Sequence, residues 1–148
     1  MKTLGTLLVA LLLAAAVQAN AQDIRKELGE AKFKKAVENY LVAIQSPNDG
    51  LRRSAIYQLG NLEAKEAAIP LMRILRSGYD EKSRIAAAWA LCKIGDAVST
   101  YAVKEAVKFD HSKKVQLHAA WYYNLYVAAG TFAFTPAAGE SQTVAESR

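Results

Sequence analysis

The side chains best suited to chemistry are few and stand far apart. His111 and His118 are the only imidazoles in the chain. They lie seven positions apart, and two turns of a straight helix separate such residues by about 10 Å, too far to chelate one ion. Neither is followed by glutamate, and a metal site needs converging ligands, so no metal and no cofactor is expected. The single thiol, Cys92, falls among Ala88, Leu91 and Ile94. It reads as a small buried hydrophobe rather than a nucleophile, and being alone it excludes an internal disulfide. No serine, cysteine or carboxylate pair has a spacing that suggests nucleophilic or acid–base work, and there is no Gly-rich phosphate loop. No catalytic residue is assigned.

What remains is surface for binding. Tyr57, Trp89 and Trp121 recur at a spacing of 32 residues, with Ile85 and Leu117 four positions before the tryptophans. Arg73, Arg76, Lys104 and Lys108, with Glu105 among them, offer a sparse basic surface. Both sets are candidates for partner binding, and both depend on the elements that carry them.

Those elements repeat. Ser54–Leu62, Ala86–Ile94 and His118–Tyr126 align at the same spacing of 32. Ala55, Ala87 and Ala119 form one column, Leu59, Leu91 and Tyr123 a second, and Leu62, Ile94 and Tyr126 a third. Steps of four and then three residues mark one face of an α-helix, and alanine in the first column permits close helix approach. Asp49, Asp80 and Asp110 precede the three runs and are expected to cap them. Arg53, Arg84 and Lys114, each four residues further on, would then form local pairs worth a few tenths of a kcal/mol.

Second helices are expected between these. One runs from Ala67 through Leu75 and stops at Gly78, with Pro70 in its first turn, where a missing N–H does least harm. The other spans Val98–Phe109. Ahead of both, Phe33, Ala36, Val37, Tyr40, Leu41 and Ile44 form an apolar stripe, its start loosened or kinked by Gly29. A long final helix is expected from Ser112 to Ala129.

The ends read differently. Lys2, the uncharged apolar stretch Leu4–Val17 and the small residues Ala19-Asn20-Ala21 fit a cleavable signal peptide, residues 1–21, with Val17-Gln18-Ala19 as a second cleavage site. The stretch is short of the ~20 apolar residues of a spanning helix, so no membrane anchor is expected after cleavage. Export would be to the periplasm of a bacterium with an outer membrane, and otherwise outside the cell. Residues 22–130 are assigned to the helical domain. Residues 131–148, rich in Pro, Gly, Ser and Thr, read as a disordered tail, with Phe132 and Phe134 expected to pack back on the last helix. Removing residues 1–21 takes away Lys2 alone, so the formal charge of +5 falls to +4. That is no clustered basic tract of the kind nucleic acid requires.

The stretch Arg52-Arg53-Ser54-Ala55-Ile56-Tyr57-Gln58-Leu59-Gly60-Asn61-Leu62, followed by Ala68-Ile69-Pro70-Leu71, resembles a HEAT repeat of the short, phycobilisome-lyase-like type. Arg84, Ala87-Ala88, Leu91 and Ile94-Gly95-Asp96 are similar to a second copy, and Lys113–Leu125 to half of a third. The resemblance implies a right-handed α-α superhelix of about two and a half to three helix pairs, first helices convex and second helices concave. It also brings in enzymes, since the metal-dependent hydroxylases of the superfamily carry adjacent His-Glu pairs that this chain lacks. A bilin lyase-like activity is the corresponding cofactor alternative.

The aromatic column departs from the family pattern, where that position is usually polar. Either neighbouring first helices cover the rings, or Tyr57, Trp89 and Trp121 form an exposed ridge that docks a partner or a second copy. Arg73, Arg76, Lys104 and Lys108 would line the concave side as a weakly basic groove for an acidic peptide or polymer. The reading drawn from these residues is a non-catalytic interaction or scaffold module of the cell envelope, with a protein or peptide partner.

Overall fold

The computed structural model describes residues 21–76 and 79–133, which are helical without strands. Helix α1 covers residues 21–28 and ends at Gly29, whose φ of 76° lies in the left-handed region. Glycine meets that requirement without a Cβ penalty, and α2 (Glu30–Ala43) starts immediately after it. The break expected from Gly29 is thus a full change of helix. The following helices are α3 (Asp49–Asn61), α4 (Ala68–Arg76), α5 (Glu81–Ile94), α6 (Ala97–Phe109) and α7 (Lys113–Tyr126). A 3-10 turn, Lys65–Ala67, leads into α4, and Pro70 sits in the first turn of that helix as expected. Residues 1–20, Ser77, Gly78 and 134–148 lie outside the described residues, and with them most of the leader and tail assignments.

The 32-residue period is realised as two layers. Helices α3, α5 and α7 pack side by side, while α4 packs on α5, α6 on α7 and α2 on α3. Ala55, Ala87 and Ala119 are all buried at the helix crossings, and Leu59, Leu91 and Tyr123 fill the space behind them. Ile56, Leu59, Leu71 and Leu91 lose essentially all contact with solvent, each contributing about 1.5–3 kcal/mol of hydrophobic stabilisation. The third column departs at its end: Leu62 and Ile94 are buried, but Tyr126 is at the surface. Gly60 marks the closest approach of α3 and α5. A Cβ there would come within 2.5 Å of the Trp89 ring and 3.0 Å of the Ala90 backbone.

Helix starts differ from expectation in two of three cases. Asp80 does cap α5, accepting from Ser83 N at 3.0 Å. At α3 the cap is Asn48, whose Oδ1 accepts from Leu51 N at 2.9 Å, and Asp49 is already helical. At α7 the cap is Ser112, while Asp110 accepts from Ser112 N at 2.8 Å. His111 therefore precedes the final helix, and that helix ends at Tyr126 rather than Ala129.

The acids at the helix starts, cap or not, also pair with buried arginines. Arg52, buried, bonds to Asp49 of its own helix and reaches Asp80 of the next unit at 3.1 Å. Arg84 clasps Asp110 of the unit after that, Nε and Nη2 donating to the two carboxylate oxygens at 3.1 and 3.3 Å. The expected local pairing of each acid with the base four positions on is replaced by pairing between units: Arg53 reaches Asp80 at 3.5 Å beside Arg52, and Asp49 keeps a local partner in Arg52 instead. Lys114 likewise reaches back to Glu81 at 3.7 Å. Each buried arginine also donates to a carbonyl just ahead of its own helix: Ser46 O at 2.8 Å and Tyr79 O at 2.5 Å. A buried guanidinium is tolerated when its hydrogen bonds are made and its charge is matched, and here both conditions are met.

Candidate interaction surface

The aromatic column forms half of a larger cluster. Tyr57 of α3 and Trp89 of α5 meet with ring centroids 5.3 Å apart, and the Trp89 indole N–H donates to the Tyr126 hydroxyl of α7 at 3.4 Å. Trp89 is half-buried because Gly60 leaves room for its ring. Trp121 does not join this contact. It packs on Tyr122 at 5.2 Å and stays 47% exposed, since among the described residues no further first helix stands beside it. Trp89 is thus partly covered by its neighbours, and Trp121 is exposed.

Tyr122 is not singled out by the sequence, and Tyr126 is read there only as the end of the third repeat column. Their signal is present in the run Trp121-Tyr122-Tyr123, but an aromatic run alone does not say which ring faces out. Tyr122 is half-buried between Tyr57, Tyr126 and Cys92; burial first, then those neighbours, push its hydroxyl above the ordinary tyrosine range. Cys92 lies beneath, its thiol pushed up to about 12 by burial, which removes it as a nucleophile at neutral pH. Lys93 closes one edge, 5.6 Å over the Tyr126 ring and 3.6 Å from Glu63. Leu117 and Leu125 extend the apolar character along α7.

The basic residues are dispersed. Arg73 and Arg76 are exposed on α4, and Lys108 is exposed on α6. Lys104 turns instead toward α7, with its ammonium 5.3 Å over the Tyr123 ring. A groove of about 290 Å³ opens between α4 and α6, lined by Arg76, Glu105, Phe109, Asp110 and His111 among others. Of the four basic candidates it takes in only Arg76, and it adds two acids. Its polarity is mixed rather than basic.

The two histidines do not converge. Arg84 Nη2 donates to His111 Nε2 at 2.9 Å, while His118 packs beside Tyr122 with centroids 6.0 Å apart. Among the described residues no group of three His, Cys, Asp or Glu could hold a metal ion, and no helix is long and apolar enough to cross a membrane.

Stacked helix pairs, a constant residue period and ion pairs running from unit to unit define a helical-repeat solenoid, an architecture that presents extended surfaces for binding. Residues 6–92 match the family model of HEAT repeats, and residues 83–108 match the PBS lyase HEAT-like repeat. The chain belongs to the HEAT-repeat family, whose members are scaffolds for protein interaction and generally non-catalytic. The longer match begins at residue 6 and so takes in residues read above as leader. Comparison with curated proteins gave no match.

Proposed function

We propose that this chain works after export as a non-catalytic interaction module of the cell envelope, docking a protein or peptide through the aromatic surface of α3, α5 and α7. One observation carries the reading: Tyr57, Trp121 and Tyr126 are exposed on a layer whose core is already filled by Ala55, Ala87, Ala119 and their neighbours. Rings in such positions add little to the fold. Grouped aromatic surface is also where binding energy concentrates in protein interfaces.

The basic groove for an acidic polymer is the weaker alternative, because Glu105 and Asp110 share it with Arg76. The alternative of a lyase-like enzyme rests on the similarity of residues 83–108 to the PBS lyase HEAT-like repeat.

Affinity capture from envelope extract tests the docking surface. Trp121→Gln should lose a partner that the native chain retains, whereas Arg73→Glu with Arg76→Glu should keep it. The reverse pattern would move the site to the groove. Export is tested by sequencing the N-terminus of the chain recovered outside the cytoplasm, which should begin near Gln22. An intact Met1 there would refute cleavage.

A further inference from the structure

We infer that the outer face of α7 is occupied by a second copy of this chain, docked antiparallel with the two Trp121 side chains facing each other across a two-fold axis. This rests on reading the aromatic surface as a binding surface, and it names the occupant of the α7 part.

The first ground is the pattern on α7. Leu117, Trp121 and Leu125 are 37%, 47% and 56% exposed, spaced four residues apart on the side opposite buried Val115, Ala119 and Tyr123. With Trp121 central and a leucine four positions away on either side, the stripe reads the same in both directions. A two-fold interface requires such a self-complementary patch. Setting Trp121 against its counterpart places Leu117 opposite the second copy's Leu125, and Lys114 opposite its Ala128.

The second ground is charge. Helix N-termini favour acids and C-termini favour bases, yet α7 opens with Lys113 and Lys114, has no acid in its first turn and no base in its last. Within one copy Glu81 partly offsets this, by its pair with Lys114, while Asp110 at the helix start is already matched by Arg84. Antiparallel docking brings the lysines of each copy to the carbonyl end of the other α7. It also keeps the two lysine pairs about 20 Å apart, beyond the screening length at physiological salt.

The third ground is that α7 lacks the charged link by which each earlier unit holds the next, so continuation of the stack is disfavoured. Gln116 stands 32 residues after Arg84, where a further forward-reaching arginine would be. It keeps the link to the preceding carbonyl, donating to Asp110 O at 2.6 Å, but carries no charge to offer a following unit. Nearby, Asn124 grips the Phe132 backbone through both groups, donating to its carbonyl at 2.7 Å and accepting from its N–H at 3.0 Å. The Phe132 ring lies edge-on against Tyr123. This segment covers the Tyr123 side of α7 and leaves the Leu117–Trp121–Leu125 stripe free.

Sedimentation and directed crosslinking test the arrangement on the purified chain. The native chain should show a concentration-dependent dimer, and Leu117→Glu should be monomeric with an unchanged helical signal. Lys113→Glu, which leaves the Lys114–Glu81 pair intact, should weaken the dimer severalfold without lowering the melting temperature of the monomer. Trp121→Cys should crosslink to itself. Leu117→Cys should crosslink only when mixed with Leu125→Cys, with buried Cys92 as the unreactive control.

A chain that stays monomeric up to about 1 mM, where even weak association registers, would overturn the proposal. So would self-crosslinking of Leu117→Cys alone, which demands a parallel pair. Co-sedimentation of a monomeric chain with anionic phospholipid vesicles would assign the stripe to lipid instead. A monomeric chain that still loses an envelope partner on Trp121→Gln would overturn the dimer and leave the reading of the surface intact.

Discussion

Arg84 and Asp110 form a bidentate ion pair between consecutive units, and both side chains are only 5% exposed. Burying either charge alone costs several kcal/mol, and the pair offsets this only while both partners are present. Arg84→Ala should therefore destabilise the domain by about 3–5 kcal/mol, by leaving Asp110 unmatched. Adding Asp110→Asn should recover part of the loss, as chemical denaturation of the single and double variants would reveal. Equal loss in both would mean that packing of the arginine stem, rather than charge, is what the site supplies.

Acid should weaken the junction between the first two units in a defined window. Burial alone would raise the Asp80 carboxyl. The Ser83 hydroxyl and N–H, Arg52 and the Arg53 charge outweigh it and hold the group at about 2, against an ordinary 3.8. In that interval the unfolded chain binds the proton and the folded chain does not, so stability falls as pH drops from about 4 to 2. For a carboxylate one-third exposed, solvent screening leaves an effect of about 1 kcal/mol. Asp80→Asn should flatten this part of the stability profile, measured by thermal melting across pH. An unchanged slope would remove Asp80 as its source.

Gly60 should resist even alanine. Inside an exposed helix glycine-to-alanine gains about 1 kcal/mol, but here the new methyl meets the Trp89 ring and the Ala90 backbone. Gly60→Ala should cost about 1–3 kcal/mol, the usual range for overpacking, and shift Trp89 fluorescence. A stabilised variant would mean that α3 and α5 separate more easily than their packing implies.

Much of the fold was legible because the alanine and leucine columns are periodic and local. Ala55, Ala87 and Ala119 identify the buried face of three helices without any long-range information. The caps at Asn48 and Ser112 were misassigned since Asp, Asn and Ser serve equally well at a helix start, and which of several neighbours does so depends on backbone geometry. The ion pairs between units were hidden for a related reason. Asp80 and Arg84 are four apart and suggest a local pair, but Arg84 is drawn to Asp110 by burial of both between α5 and α7. The candidate surface was half legible: spacing found Tyr57, Trp89 and Trp121, while the roles of Tyr126 and Gly60 required the tertiary crossing.

Thermal melting of Trp121→Gln beside Trp89→Gln, with sedimentation of each, tests most directly whether the aromatic surface serves binding rather than folding. Trp121→Gln is expected to melt within about 2 °C of the native chain, a shift of well under 1 kcal/mol for a domain of this size, and to lose self- or partner association. Trp89→Gln, which empties the space beside Gly60, is expected to melt several degrees lower. Unfolding of Trp121→Gln, or full retention of association when its fold is intact, would contradict the assignment of this surface.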